Sequence, residues 1–273
     1  MNNTYIPNTN VKAKVLDPNP MNRYVSLFLK NNETDNGKNS GSVNAGTSNT
    51  GYLFSVGLGG INRAFKKSLK NAGQNTNTYQ KIHQSLYDEL SGSNLSAYNS
   101  KFSSADPVQF SIIRKPDPKI KLQGDDGIVF IDIFNPKEFP NGNPLNYSMI
   151  YVVPPNRENY TDNKTFLNAV EASCVNMIEA LHLYNSEHAK PGNSSGLETI
   201  ENIRMCLFSG GLYRGNTPQN DVARHNLLGI EGGLSNIGGK KSSIELVIFE
   251  NSYDKDTMQN VFQSIKSKLS TKS

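Results

Sequence analysis

Cys206-Leu207-Phe208-Ser209-Gly210-Gly211-Leu212-Tyr213-Arg214-Gly215 runs from an apolar strand into a small-residue loop, and helical spacing resumes from Asn220 to Leu228. A strand that empties into glycines and then opens a helix makes an anion site. The glycines let the backbone come close to a ligand, and the free N–H groups of the loop and of the helix's first turn point at it with the positive end of the helix dipole behind them. A pyrophosphate fits such a cradle. Gly-Gly after a strand is also an ordinary turn. A second stretch of the same kind, Gly57-Leu58-Gly59-Gly60-Ile61, feeds another helical pattern, and two such loops imply one cleft.

Outward from the loop, strands and helices alternate. Ile203 to Phe208 is a strand, Asn220 to Leu228 a helix, Ile244 to Phe249 a strand and Thr257 to Leu269 a last helix. Upstream, Thr165 to Leu183 is the longest helix, with apolar positions Phe166, Ala169, Val170, Val175, Ile178 and Leu181 on a sheet-packing face and Thr161 and Asp162 just before it. Ile128 to Phe134 and Met149 to Val153 read as strands, the second stopped by Pro154-Pro155. Tyr79 to Leu90 repeats Ile82, Leu86 and Leu90 every four residues, and Ile61 to Leu69 has helical spacing closed by Gly73. Val11 to Leu16 and Tyr24 to Leu29 are the first strands, with Pro18 and Pro20 forbidding helix between them. This order predicts a three-layer α/β/α fold with a mixed central sheet, its ligands at the strand ends that carry the glycine loops.

Two stretches are too polar to pack and read as loop insertions, one over about 32–50 and one over about 94–121. The 273 residues are thus expected to form a single α/β domain, 1–273, carrying these insertions. The net charge of +4 is mild, and no Lys/Arg block is interleaved with aromatics, so nucleic acid is a weak candidate partner. No apolar run approaches the roughly 20 residues of a membrane span, and the polar Met1-Asn2-Asn3-Thr4 start is unlike a secretory signal, which gives a cytoplasmic expectation; delivery into a host cell is not readable from the residues. Cys174 and Cys206 lack metal-ligand or disulfide spacing and read as buried apolar residues, and His83, His182, His188 and His225 show no ligand spacing either. No metal and no cofactor is expected, and the chain is taken as a monomer.

The residues resemble the macrodomain, the ADP-ribose-binding fold, as a divergent member of the kind found among effector-type ADP-ribosyl hydrolases. The family follows a core strand with Ser-Thr-Gly-Ile-Tyr-Gly, a helix beginning near paired alanines, a strand ending in an aromatic or Asn, and a final helix. Ser209-Gly210-Gly211-Leu212-Tyr213-Arg214, then Val222-Ala223, then Leu246-Val247-Ile248-Phe249, then the Thr257 helix stand in that order. The family also places an Asp at one strand end and an Asn at the next, and Asp17 and Asn31 are fourteen positions apart. The resemblance implies that Asp17 accepts from the adenine amino group, that Asn31 faces the distal ribose as the last Asn of an Asn-Ala-Ala-Asn strand end, and that Tyr213 covers that ribose rather than plugging the loop; Phe249 closes its strand on the adenine side, where it either stacks on the base or packs into the core. Gly59-Gly60-Ile61 resembles the Gly-Gly-Val of the first phosphate loop, with Asn62 beside it. The literal Val43-Asn44-Ala45-Gly46 is set aside for the Asn motif, because it lies in a polar tract with no apolar strand before it. Met149 to Pro154 resembles the family's Val-Ile-His strand before a Gly-Pro turn.

The departures bear on chemistry. Hydrolytic macrodomains of the commonest type carry an Asp after Gly-Gly-Val that orients the attacking water, and here Asn62 follows Ile61; an amide cannot act as a general base. The Gln-Glu-Glu segment of poly(ADP-ribose) glycohydrolases is also missing. Cleavage at the distal ribose passes through an oxocarbenium-like transition state and wants an oriented water and a base. Asp221, with Asn31 holding the ribose, is the expected pair, although an acid in a helix's first turn also suits the dipole. Glu33 and Asp35 are further carboxylates near Asn31, and Asp125-Asp126 between Gly124 and Gly127 reads as turn chemistry. The resemblance therefore implies binding of ADP-ribose or an ADP-ribosylated protein, with hydrolysis by a non-standard catalytic set. The alternatives are a reader module without turnover, and a structural or toxin-associated protein whose glycine loops are only turns. Asn- and Lys-rich usage points to an AT-rich genome, of a bacterial pathogen or a protist.

Overall fold

A computed structural model describes residues 4–5, 10–16, 40–45, 76–103, 106, 108–134, 147–189, 196–200, 202–205, 207–237 and 243–249. The strands are β1 (Thr4–Tyr5), β2 (Asn10–Leu16), β3 (Ser40–Ala45), β4 (Ala97–Lys101), β5 (Val108–Arg114), β6 (Val129–Phe134), β7 (Tyr147–Val152), β8 (Asn202–Met205) and β9 (Ser243–Phe249). They join into one sheet in the order β1-β2-β9-β8-β3-β7-β6-β5-β4. From β2 to β7 every pairing is parallel; β1 at one edge and the β6-β5-β4 meander at the other are antiparallel. The parallel strands therefore end on one side of the sheet, where open α/β folds bind ligands.

Helices cover both faces. The helix α1 (Thr76–Ser91) seats Tyr79, Ile82, Leu86 and Leu90 against Val108, Ile113, Phe130, Met149 and Tyr151. On the other face α2 (Asn163–Leu183) and α3 (Gln219–Asn236) pack on Val43, Phe110, Ile112, Val129, Ile131, Ile150 and Val152. Alternate residues of β6 and β7 go to opposite cores, as the twofold period of a strand requires. Burying each such side chain is worth about 1.5–3 kcal/mol, so two continuous clusters fix the sheet between its helices. Asp162 caps α2, its carboxylate accepting from the Thr165 amide at 2.7 Å. The last turn of α2 continues as a π-turn, Tyr184–His188. Gly229 and Gly233 bring α3 close to α2: a Cβ at Gly229 would strike the Glu171 carbonyl and lie 2.7 Å from Cys174 Cβ, and one at Gly233 would lie 2.7 Å from Ile178 Cβ.

The three-layer α/β/α expectation holds, and two expectations are corrected. Both polar insertions contain sheet. Within 32–50, Ser40–Ala45 is β3, paired in parallel on one side with β7 and on the other with β8. Within 94–121, β4 and β5 extend the antiparallel edge. The reason is pairing. A strand flanked on both sides meets its backbone hydrogen bonds without a rich apolar composition, and Val43 supplies a fully buried side chain to β3. The α3 helix also runs further than Asn220 to Leu228, to Asn236. The predicted strand Tyr24 to Leu29, the helices Ile61 to Leu69 and Thr257 to Leu269, and Cys206 lie outside the described residues.

Candidate functional site

The loop between β8 and α3 sits near the middle of the parallel ends. Its start is clamped by α3. The Asn226 side chain, fully buried, accepts from the Phe208 amide at 2.8 Å and donates to the Phe208 carbonyl at 3.0 Å and the Val222 carbonyl at 2.8 Å. Ser209 follows at φ +56, the sole non-glycine left-handed residue among the described residues. Such a conformation costs on the order of 1–3 kcal/mol and persists where its surroundings over-determine it. Here the Ser209 hydroxyl donates to the Pro155 carbonyl at 2.5 Å, tying the loop to the Pro154-Pro155 turn after β7. Two loops of the same rim are thereby locked together.

Beyond Ser209 the chain opens outward. Gly210 is buried and its carbonyl faces the Gln219 amide, while a Cβ at Gly211 would meet nothing within 4 Å. Leu212–Arg214 form a short 3-10 turn with Leu212 92% exposed at its tip. Gly215, at φ +52, packs against Arg157, and a Cβ there would lie 3.2 Å from the Arg157 Cγ. Arg157 is held in turn, donating to Asn163 Oδ1 and to the Tyr160 carbonyl at 2.6 Å each. Arg214 donates to the Thr217 carbonyl at 2.9 Å, and the buried Thr217 hydroxyl donates to Asn163 Oδ1. Two guanidiniums thus flank the glycines, each anchored through part of its donor set.

A third piece of the rim is the turn Gly124–Gly127, which enters β6 beside the end of β7. Both glycines have positive φ, and the Gly127 amide donates to the Val153 carbonyl at 2.7 Å. Its two acids part company. Asp125 accepts from the Tyr87 hydroxyl of α1 at 2.8 Å, while Asp126, 1% exposed, accepts from the Tyr160 hydroxyl at 2.7 Å. Burial pushes the Asp126 carboxyl up to about 7; the Asp125 charge adds to this, and the hydrogen bond from Tyr160 and the Asn156 amide oppose it. Burial also raises Tyr213, with the Asp126 charge as the second cause. Turn and glycine loop therefore share one electrostatic environment.

Of the residues expected at the site, Ser209, Gly210, Gly211, Leu212 and Tyr213 share this loop. Phe249 closes β9 at the same end of the sheet, in register with Leu16 of β2. Asp221 lies exposed on the first turn of α3. Asp17, Asn31, Gly59, Gly60, Ile61 and Asn62, with Glu33 and Asp35, lie outside the described residues. Val43-Asn44-Ala45, set aside from the sequence for want of a strand, is the end of β3, between β7 and β8. Sequence reasoning took Asp125-Asp126 as turn chemistry only, and the turn is there; that one acid is buried against Tyr160 had no signal in the local residues. Among the described residues no cluster of His, Cys, Asp and Glu could hold a metal ion, and no helix is long and apolar enough to cross a membrane.

A family model described as the mitochondrial association factor 1 C-terminal domain matches residues 120–256. The chain is 31% identical over 208 residues to the DNA/RNA-binding protein ALBA4 of Plasmodium yoelii yoelii, covering 69% of this chain and 52% of that protein, and the Plasmodium falciparum protein of the same name matches to the same extent. It is 29% identical over 112 residues to mitochondrial association factor 1 form a1 of Toxoplasma gondii, 40% of this chain and 23% of that one. The chain thus spans about half the length of the first two relatives and less of the third. Among solved structures, the Oceanobacillus iheyensis macrodomain with MES bound superposes with a TM-score of 0.50 at 14% identity, over 99% of this chain and 97% of that one. A single-residue mutant of the same macrodomain gives 0.51 at 13% identity, over 98% and 94%. The fold is that of a macrodomain.

Proposed function

The chain belongs to the family of the mitochondrial association factor 1 C-terminal domain, and on that premise we propose that it binds ADP-ribose through the Ser209–Arg214 loop. The supporting observation is the position of that loop: it follows a central parallel strand, lies at the carboxyl ends of the parallel set and opens α3. Loop amides facing a diphosphate make charge-assisted hydrogen bonds about twice as strong as neutral ones, so micromolar affinity needs no lysine cluster. Along the same rim, β2 and β9 would take the adenine, with Asp17 accepting and Phe249 stacking. The distal ribose would then lie over β3 and β7. That placement favours Asn44 over Asn31 as its neighbour, since β3 is the strand that ends between β7 and β8.

Calorimetry with ADP-ribose tests the binding. A Gly211→Glu protein should fold, because a side chain there meets open space, and should lose binding, because a carboxylate would occupy the anion loop. A folded variant that binds as before refutes the site. Asn44→Ala and Asn31→Ala, measured side by side, decide which asparagine faces the ribose.

Release of ADP-ribose from modified protein is the finer reading. With Asn62 in place of the usual Asp, the water would have to be oriented by another carboxylate, and Asp221 is the one next to the loop in sequence. Asp221→Ala should keep affinity and lose about 10²–10⁴-fold in release. A wild type that releases nothing across several linkages is a reader module. A second reading, nucleic-acid binding, takes its support from the name of the two Plasmodium relatives; a mobility shift that weakens steeply with salt would support it, and none at low salt would remove it.

A further inference from the structure

We infer that Asp126 is a proton-linked positioning residue of the anion loop: its buried carboxyl takes up a proton when a diphosphate ligand settles beside Tyr213, so that affinity and protonation are coupled. This rests on the reading that the loop binds ADP-ribose. The geometry is a carboxyl with one oxygen engaged and one idle. Oδ2 accepts from Tyr160, itself seated on Phe166 and touched by the Gln123 amide at 3.3 Å, whereas Oδ1 is buried with no hydrogen-bond partner among the described residues. A buried carboxylate with a bare oxygen is costly, and a proton on that oxygen removes the charge.

Among the described residues no cation figures among the groups that set the charge of Asp126. The groups acting on Asp126 are Asp125 on its own turn, Tyr160 before α2 and the Asn156 amide, and its charge reaches Tyr213 on the glycine loop. Asp125 is itself held by Tyr87 of α1. When ionised, Asp126 therefore places negative charge behind a loop whose exposed amides suit an anion. Ligand and proton then help each other, and by linkage a ligand that favours the neutral acid must bind better where the acid is neutral. With the carboxyl poised at about 7, both forms exist near neutral pH, and the coupling is readable between pH 6 and pH 8.

The test is calorimetry with ADP-ribose on the whole chain at pH 6, 7 and 8, in two buffers of different ionisation heat. Affinity should be about fivefold or more tighter at pH 6 than at pH 8, with net proton uptake near pH 7. Asp126→Asn, which keeps the shape and an acceptor for Tyr160, should flatten both, separating this acid from every other ionisable group of the chain. Tyr160→Phe removes a hydrogen bond that favours the ionised form and should move the midpoint upward. A flat wild-type profile, a slope surviving in a folded Asp126→Asn protein, or an unmoved midpoint in Tyr160→Phe would each overturn the inference while leaving the functional reading intact. Absence of binding at every pH would overturn both.

Discussion

The two faces of the sheet solve the problem of buried polar groups differently. Under α1, side chain meets side chain. His83 Nε2 lies 2.7 Å from Asp132 Oδ2, the Ser111 hydroxyl donates to the other oxygen of Asp132, and all three residues are fully buried. His83 also lies 4.5 Å from the Phe130 ring and meets Tyr151 edge-on. Under α2 and α3, apart from the buried Tyr160–Asp126 and Cys174–Asn226 pairs, side chain mostly meets backbone. Asn226 clamps Phe208, the Asn176 amide donates to the Gly127 carbonyl at 2.7 Å, Ser173 donates to the Ala169 carbonyl and Ser209 to that of Pro155. A side-chain pair specifies which helix docks; a backbone clip specifies where a loop begins. The face that carries the clips is the one from which the glycine loop departs.

The contrast breaks most sharply at Asp132. Its replacement by Ala removes the acceptor that His83 and Ser111 share in the core, and loss of one partner of such a buried pair costs roughly 3–5 kcal/mol. Denaturant unfolding should record it, and the joint change of His83 and Asp132 to Leu should recover much of the loss; a joint variant as weak as the single one would show that shape, not partnering, governs this face. Next in size is Asn226→Ala. It leaves the Phe208 amide and carbonyl unpaired and should cost about 2–4 kcal/mol, at roughly 1–2 for each buried group, the lower part of the usual range. Hydrogen exchange at Phe208 should rise with it, which a merely apolar role for Asn226 would not produce.

Gly229→Ala should follow, at about 1–3 kcal/mol, because a methyl there overlaps the Glu171 carbonyl and α2 must give way. Thermal unfolding checks it, and unchanged stability would mean that the two helices can part without loss. The smallest expected effect is at the turn that touches both faces, Asp125 toward α1 and Asp126 toward Tyr160. A folded-state carboxyl raised to about 7 keeps its proton after the unfolded chain has lost its own, so stability falls from about pH 4 to pH 7 and levels off above. Asp126→Asn should therefore gain on the wild type over that window, by about 1–2 kcal/mol, less than the full shift implies because effective dielectrics even at buried sites are high. A constant difference between pH 4 and pH 8 would show that the acid is not held neutral.

The sequence carried the helices well, because α1, α2 and α3 each repeat apolar residues along one face. It carried the strands unevenly. β6 and β7 are apolar runs, whereas β3, Ser40-Gly41-Ser42-Val43-Asn44-Ala45, has one large apolar side chain and owes its place to neighbours more than a hundred residues away. β4, Ala97-Tyr98-Asn99-Ser100-Lys101, is an edge strand whose partly exposed residues read as loop. At the site, the glycine loop was legible because its backbone requirement is written in residue type. Asp126 was not, since Gly-Asp-Asp-Gly announces a turn without saying which carboxylate turns inward, and its partner Tyr160 lies thirty-four positions on.

The strand order also dictates when the molecule can finish folding. β4, β5, β6 and β7 are antiparallel neighbours in chain order, so that edge can assemble from segments close in sequence as soon as its residues exist. β2 stands at the opposite extreme. Its parallel partner is β9, more than two hundred residues later, and β9 is also what joins it to β8 and the rest of the sheet. During synthesis β2 must therefore wait with an unsatisfied edge until nearly all of the described chain has emerged. Closure of so distant a pairing is entropically slow, which makes insertion of β9 the step that commits the chain, and the interval before it the period in which an exposed strand is open to mispairing.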